Sequence, residues 1–279
     1  MIIKMLNLET VTPMFLHGST PKVPELRPPP FKSLMRYWWR TVQDCKTESL
    51  QKTEACLFGS TEGKAPFSIR ISGKTDLAQV SYKPLPHRTD SRGFKTAAYR
   101  AGQPFDLYLI AKNESVASTY AQIAKLGFLL GGVGNRSRRG FGSIREASWN
   151  FADVFELRSE ILDTLNSVAD ADRFQIKNQI IESKITDDSN FPVIRRIIFG
   201  HPTDNSNDLL TKIGQATHNH NDNALGSASP RLASPIHVRV QKLSNGYIPV
   251  ITQLHSIFPR HEPKQYQQKQ KNFIDAIIR

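Results

Sequence analysis

Residues 131–143, Gly-Gly-Val-Gly-Asn-Arg-Ser-Arg-Arg-Gly-Phe-Gly-Ser, hold five glycines and three arginines in thirteen positions. Glycine has no Cβ, so the chain can turn tightly and bring its N–H groups close to a ligand. The arginine guanidinium is a permanently charged planar fork that matches phosphate oxygens. Together Gly131, Gly132, Gly134, Arg136, Arg138 and Arg139 read as a backbone cradle for a polyanion, with the arginines on a solvated loop whose loss spares the core. Substituting Gly132 or Gly134 with valine is expected to weaken RNA binding, by blocking approach to a phosphate rather than by straining the turn. The stretch is not a P-loop, because no Gly-Lys-Ser/Thr follows. It is not Gly-x-Gly-x-x-Gly either, because Ser137 stands where the third glycine belongs. Arg139-Gly140-Phe141-Gly142 matches the start of the RNA-recognition-motif signature, and Ser143 then replaces an aromatic.

A second basic feature precedes it. Lys32, Arg36 and Arg40 lie four apart, a spacing that forms one stripe on a helix, and Arg27 stands just before them; all four are expected to grip an RNA sugar-phosphate backbone together with the loop arginines. The stripe flanks an apolar one through Phe31, Met35, Trp38 and Val42. Tyr37 and Trp39 read as packed, although an aromatic beside basic residues also stacks bases. The histidines offer acid–base chemistry: His17 or His87 beside a scissile phosphate would make a metal-independent endoribonuclease. His218 and His220, at i and i+2 in a polar stretch, are a weak metal signal without further ligands. No Ser-His-Asp or Cys-His arrangement is visible. Carboxylates are sparse in the first half, which argues against a two-metal nuclease. Cys45 and Cys56 lack zinc-site spacing and read as free thiols. No catalytic residue, metal or cofactor is expected.

The charge distribution favours a nucleic acid. The 279 residues carry a net +12 with a pI of about 9.8. Residues 1–150 hold 22 Lys/Arg against 11 Asp/Glu, a net +11, and residues 151–279 hold 15 against 14, a net +1. The polyanion surface is therefore expected mainly in the first half. There is no signal-peptide pattern and no apolar run near the ~20 residues of a membrane span, which reads as a cytoplasmic protein without a membrane partner.

Periodicity supplies the scaffold. Strands are expected at 2–12, around Phe67-Ile69-Ile71, around Phe105-Leu107-Leu109, and at 141–149. Helices are expected at 31–45, after a proline run that no helix survives, and at 115–130. This β-α-β-β-α-β order is the split β-α-β unit. Residues 73–103 are a long basic connection without evident structure. In the second half, residues 152–184 read as mostly helical, 192–199 as a strand, and 201–230 as a polar loop with a short helix. Residues 236–254 read as a hairpin turning at Ser244-Asn245-Gly246, and 263–278 as a helix. The fold class is α+β, with domains at 1–150 and 151–279.

Several segments resemble a known family. Glu25-Leu26-Arg27-Pro28-Pro29 with Lys32–Arg40, Leu57-Phe58-Gly59-Ser60, the glycine-rich stretch, Ala228–Pro235 and Gly246-Tyr247-Ile248-Pro249-Val250 are similar to boxes of the RAMP (repeat-associated mysterious protein) family of CRISPR systems, in its type III-B (Cmr) branch. The resemblance implies two ferredoxin-like (RRM-like) RAMP domains, the second irregular. It implies a non-catalytic subunit at the end of an RNA-guided effector complex in antiviral defence. Its partners would be guide RNA near the 3′ end, target RNA and neighbouring RAMP subunits. Some RAMP proteins process guide RNA, which keeps the endoribonuclease reading as the alternative.

Overall fold

A computed structural model describes every residue except 21, 74–76, 89–93, 186–189, 230 and 259–261. Parts of the basic connection, and Pro230 of the Ser-Pro segment, thus lie outside the described residues. The first sheet is built from β1 (Ile2–Thr10), β2 (Phe67–Gly73), β5 (Pro104–Ala111) and β6 (Ile144–Glu146), in the order β2-β5-β1-β6 with every neighbouring pair antiparallel. The period-two pattern decides which face is covered: Leu6, Leu8, Leu107 and Leu109 point into the core, while Ile3 and Met5 point outward. α1 (Pro28–Thr41) and α3 (Glu114–Leu130) pack together over the inner face. The order β1-α1-β2-β5-α3-β6 is the β-α-β-β-α-β succession expected. Two additions interrupt it: α2 (Thr47–Phe58) and a hairpin of β3 (Gln79–Tyr82) with β4 (Thr96–Tyr99), inside the connection expected to be structureless.

The differences from expectation have physical causes. α1 begins at Pro28, not after the prolines. Pro28, Pro29 and Pro30 fill the first turn, whose N–H groups have no helical acceptor in any case and whose φ proline already favours. α2 gives little periodic signal because it buries only Leu50, Glu54 and Phe58, a narrow stripe with a carboxylate in its centre. The expected strand at 141–149 shrinks to Ile144–Glu146.

The second sheet runs β12-β13-β9-β8-β7, from β7 (Phe174–Lys177), β8 (Ile180–Ser183), β9 (Ile194–Phe199), β12 (Ile236–Leu243) and β13 (Gly246–Leu254), again antiparallel. α4 (Val154–Ala169) precedes it, α5 (Ser206–Asn219) and α6 (Tyr266–Ile278) pack on it, and β10 (Ser227–Ala228) pairs with β11 (Arg231–Leu232) beside it. The helix expected through 184 stops at Ala169, where Asp170 is left-handed, and β7 and β8 then form a hairpin through Asn178 and Gln179, both at positive φ. That edge hairpin exposes three of the four residues of β7, so it lacks the alternation that marks a half-buried strand. α5 is a full helix because Leu209, Leu210, Ile213 and Ala216 fall on one buried stripe within an otherwise polar segment.

The halves are packed into one another. Two hydrophobic clusters each draw on residues from both sides of position 150: Leu107 and Phe128 share one with Ile197 and Val250, and Phe15 and Phe141 share the other with Leu210 and Val238. Between them β12 alternates. Val238 and Val240 enter the second cluster, while His237, Arg239 and Gln241 turn to the first half. Gln241 Nε2 donates to Phe128 O at 3.2 Å and Leu129 O at 2.8 Å, carbonyls of the last turn of α3 that have no helical donor. Arg239, 1% exposed, donates to Ile144 O, and burial pushes its pKa down to about 9.

Candidate nucleic-acid interface

The glycine-rich stretch leaves the C-terminus of α3 and is stitched to two other segments. Asn135 N donates to Phe15 O at 2.9 Å and Gly142 N to Pro13 O at 2.9 Å, which fixes the loop on residues 13–15. Gly140 N donates to Val238 O at 2.8 Å and Val238 N to Arg138 O at 3.1 Å, which fixes it on β12. A chain clamped from both sides has little room for side chains. A Cβ on Gly131 would lie 2.1 Å from Trp38 Nε1, on Gly132 2.7 Å from Phe141 O, and on Gly134 2.3 Å from Phe15 O. Gly134 also sits at φ +90°. The glycines therefore serve close approach within the protein, and the expectation that they mainly clear a path for phosphate is corrected. Phe141, the aromatic of the partial RNA-recognition signature, is no surface platform. It is buried with its ring centroid 5.0 Å from Phe15 and 5.8 Å from Tyr82.

The three loop arginines have three different roles. Arg139 is structural, contrary to its reading as a dispensable loop residue. Its guanidinium donates to Arg138 O and Ile236 O at 2.9 Å and to Ser234 Oγ at 3.1 Å, and lies 5.0 Å from the Phe273 ring centre. Burial, with Arg136 and Arg138 adding like charge, pushes its pKa down to about 9, so it still carries charge at neutral pH. Arg138 packs 5.8 Å from the Tyr37 ring centre, and its Nε donates to His237 Nε2 at 3.1 Å. Tyr37 Oη lies 2.9 Å from the same nitrogen. Two donors on Nε2 place the ring proton on Nδ1. Burial first, then Arg138 and Arg139, hold His237 well below the ordinary imidazole pKa, so it is a neutral acceptor. Arg136 stands at the loop tip with φ +59°, a region that non-glycine residues rarely occupy, and its buried Nε has no partner among the described residues.

Arg136 and Arg138 face an open cleft of about 570 Å³ between α1 and the loop. Ser33, Leu34 and Tyr37 form the α1 wall, and Arg231 closes the far side. No acidic side chain lines it among the described residues. The backbone N–H groups of Gly132, Gly134, Arg136, Ser137 and Arg138 have no protein acceptor among the described residues. Permanent positive charge and unspent amide donors around one depression are what a phosphate backbone needs.

The stripe of the first helix is not part of this cleft. Arg36 Nε donates to Glu54 Oε1, and Arg40 donates to both Glu54 oxygens at 2.8 and 2.6 Å. Lys32 Nζ sits 5.5 Å from the Phe67 ring centre. These residues face α2 and β2, and Glu54, buried at 3% exposure, cancels one of their charges. Burial raises the Glu54 pKa, but the hydrogen bonds and charges of Arg40 and Arg36 outweigh it and leave the group below the ordinary value. Arg27 lies by His17, whose backbone O accepts from its Nη2 at 3.3 Å. His17 Nε2 lies 2.9 Å from Ala97 O. His87 stacks on His218 at 5.3 Å, and burial, His218 and Arg136 lower its pKa. Among the described residues no three His, Cys, Asp or Glu side chains cluster as metal ligands, and Cys45 and Cys56 are free and exposed.

Sequence reasoning missed Arg231 and the Tyr37–His237–Arg138 cluster. Arg231 lies in a half with a net charge of +1, and His237 is 200 positions from its tyrosine, so no local pattern joined them. The only signal for Arg231 was its place in the Ser-Pro segment.

An α+β chain with a clamped glycine loop over its first sheet has known relatives. Residues 7–145 match the RAMP superfamily, and the chain belongs to it. Within it, the chain is similar to two CRISPR system Cmr subunits of Pyrococcus furiosus. It is 26% identical to Cmr1-1 over 181 residues, 59% of this chain and 51% of that protein. It is 25% identical to Cmr1-2 over 172 residues, 50% of this chain and 92% of that protein. The matched stretch thus spans about half the length of the first relative. Its fold resembles the crystal structure of apo Cmr1 from the same organism, with a TM-score of 0.64 and 18% identity over 99% of this chain and 96% of that one. It also resembles a chain of a type III-B Cmr-beta complex solved with cognate target RNA, at TM-score 0.60 and 12% identity over 99% of both chains. No helix among the described residues is long and apolar enough to cross a membrane.

Proposed function

We propose that this chain is a non-catalytic RNA-binding subunit of a type III-B CRISPR effector complex. It would hold guide and target RNA near the 3′ end of the guide, against neighbouring RAMP subunits. The observation that carries this reading is the cleft between α1 and the glycine loop, lined by Arg136, Arg138 and Arg231, by loop residues whose amides have no protein acceptor among the described residues, and by no acidic side chain among those residues. Its similarity to Cmr subunits, and to a chain of a Cmr complex solved with target RNA, supports RNA as the polyanion. Sequence specificity would rest on guide–target pairing, and the protein would grip the backbone.

The test is RNA binding by Arg136→Ala/Arg138→Ala/Arg231→Ala. Charge-assisted contacts contribute ~1.5–3 kcal/mol each and do not simply add, so a loss of roughly a hundredfold is expected. Unchanged affinity refutes the cleft as the RNA site. Incubation of the wild type with repeat RNA in EDTA separates this reading from the endoribonuclease: intact, retarded RNA is expected, and discrete cleavage products would favour His17 or His87 as catalysts.

A further inference from the structure

Three arrangements of arginine occur in this fold, and they differ in what the guanidinium has left to give. Arg139 spends its Nη groups on Arg138 O, Ile236 O and Ser234 Oγ. Arg36 and Arg40 are held by the Glu54 carboxylate, which fixes them and cancels charge. Arg138, on the wall of the cleft, is held by a single bond from its Nε to His237 Nε2 at 3.1 Å. Its remaining N–H groups, on Nη1 and Nη2, have no protein acceptor among the described residues. The anchor itself is rigid. His237 is 6% exposed, its ring centre lies 5.3 Å from that of Tyr37 and 5.1 Å from that of Trp38, and the Tyr37 hydroxyl sits 2.9 Å from Nε2. An imidazole nitrogen that takes two donors must be unprotonated. His237 therefore fixes Arg138 without cancelling its charge, and it uses only the donor that lies away from the tip of the fork.

Building on the RNA reading above, we propose that His237 is a positioning residue, an uncharged acceptor that orders the Arg138 fork in advance so that its free Nη edge meets a phosphate in the cleft. It acts through Arg138 and holds no phosphate itself. Tyr37 completes the device, since its hydroxyl shares Nε2 and its ring lies against the guanidinium. Without the acceptor Arg138 would keep its charge but would lose its rotamer freedom only when RNA arrives. Ordering one such side chain on binding weakens affinity roughly threefold to tenfold. A carboxylate at position 237 would anchor the fork equally well and oppose the phosphate, as Glu54 does for the stripe on α1.

The test is a double-mutant cycle on the full chain, with the Kd for a single-stranded RNA of mixed sequence read by fluorescence anisotropy. His237→Leu removes the acceptor and is expected to weaken binding roughly threefold to tenfold. His237→Gln carries an amide oxygen that reaches the place of Nε2, and it is expected to restore most of the affinity. In an Arg138→Ala background His237→Leu is expected to cost nothing further, because its effect runs through Arg138. A His237 that only pins β12 to α1 would weaken binding equally in both backgrounds, and that result overturns the proposal. Wild-type affinity in His237→Leu, or a His237→Gln variant as weak as His237→Leu, overturns it too. Thermal unfolding checks that each variant is folded at the assay temperature. If His237→Leu is not, His237→Asn, whose amide ends one bond short of the Nε2 position, takes its place in the cycle. A weakened Arg138→Ala beside an unaffected His237→Leu leaves the cleft standing and removes only the positioning role. An Arg138→Ala chain that binds as the wild type does, or a wild type that binds no RNA, overturns the positioning role together with the place of Arg138 in the RNA site.

Discussion

Gly134→Ala separates a packing role for the glycine loop from a ligand-clearing one. Two costs follow from the geometry. Gly134 lies at φ +90°, where an L-residue loses about 1–2 kcal/mol to the clash of its Cβ with the backbone. The new Cβ would also lie 2.3 Å from Phe15 O, the acceptor of the 2.9 Å bond from Asn135 N. Both are backbone atoms and cannot rotate aside, so the loop must lift and that bond is lost, at about 1–1.5 kcal/mol. The expected destabilisation is about 2–3.5 kcal/mol, or roughly 5–12 °C in Tm for a chain of this size. Two other glycines calibrate the measurement. Gly102 lies at φ +78° with nothing within 4 Å of its would-be Cβ, so Gly102→Ala carries only the conformational cost. Gly63 has open space and no left-handed φ, so Gly63→Ala should be neutral. Thermal and urea unfolding, followed by circular dichroism, should rank the variants Gly63→Ala, Gly102→Ala and Gly134→Ala in order of growing loss. If Gly134→Ala melts with Gly102→Ala, the close approach to Phe15 contributes nothing. If it melts with the wild type but loses RNA affinity, the glycine clears space for phosphate and the packing account is refuted.

Three further outcomes follow. Arg139→Ala should destabilise the fold by about 2–4 kcal/mol, because it removes donors from Ile236 O and Ser234 Oγ, whereas Arg136→Ala should leave Tm nearly unchanged; equal melting points would contradict this division of roles. Glu54→Gln should cost about 1–2 kcal/mol at neutral pH, a modest figure because Arg36 and Arg40 are partly exposed. The folded-state pKa of Glu54 lies below its ordinary 4.5, so its contribution is complete above that value and fades as the pH falls through the folded-state pKa. Wild type and Glu54→Gln should therefore converge in stability on acidification, and a gap that stays constant would refute the pairing. Gln241→Leu should cost about 1–3 kcal/mol in urea unfolding by leaving Phe128 O and Leu129 O without a donor, and a neutral result would show that water or a shift of α3 satisfies them.

Local physics made much of this protein legible in its sequence. Alternation in β1, β2 and β5 and the 3.6-residue stripes of α1 and α3 need only neighbouring residues, and they gave the α+β class and the β-α-β-β-α-β order of the first half. The density of glycine and arginine at 131–143 marked the loop, and the charge asymmetry marked its half. What the sequence could not decide was which of several alike residues does what. Arg136, Arg138 and Arg139 stand within four positions, yet one stands at the loop tip, one leans on a tyrosine, and one ties the loop to Ile236 and Ser234. Only the arrival of β12 beside the loop separates them, because its carbonyls and His237 claim Arg139 and Arg138 as donors. Lys32, Arg36 and Arg40 made an equally good basic stripe, until α2, hidden by the carboxylate at the centre of its buried face, brought Glu54 against two of them. Arg231 enters the cleft from a segment with no basic excess. Residue types and spacing set which side chains could hold a phosphate; the partners brought from distant positions, and the donors those partners consumed, decided which remain free to do so.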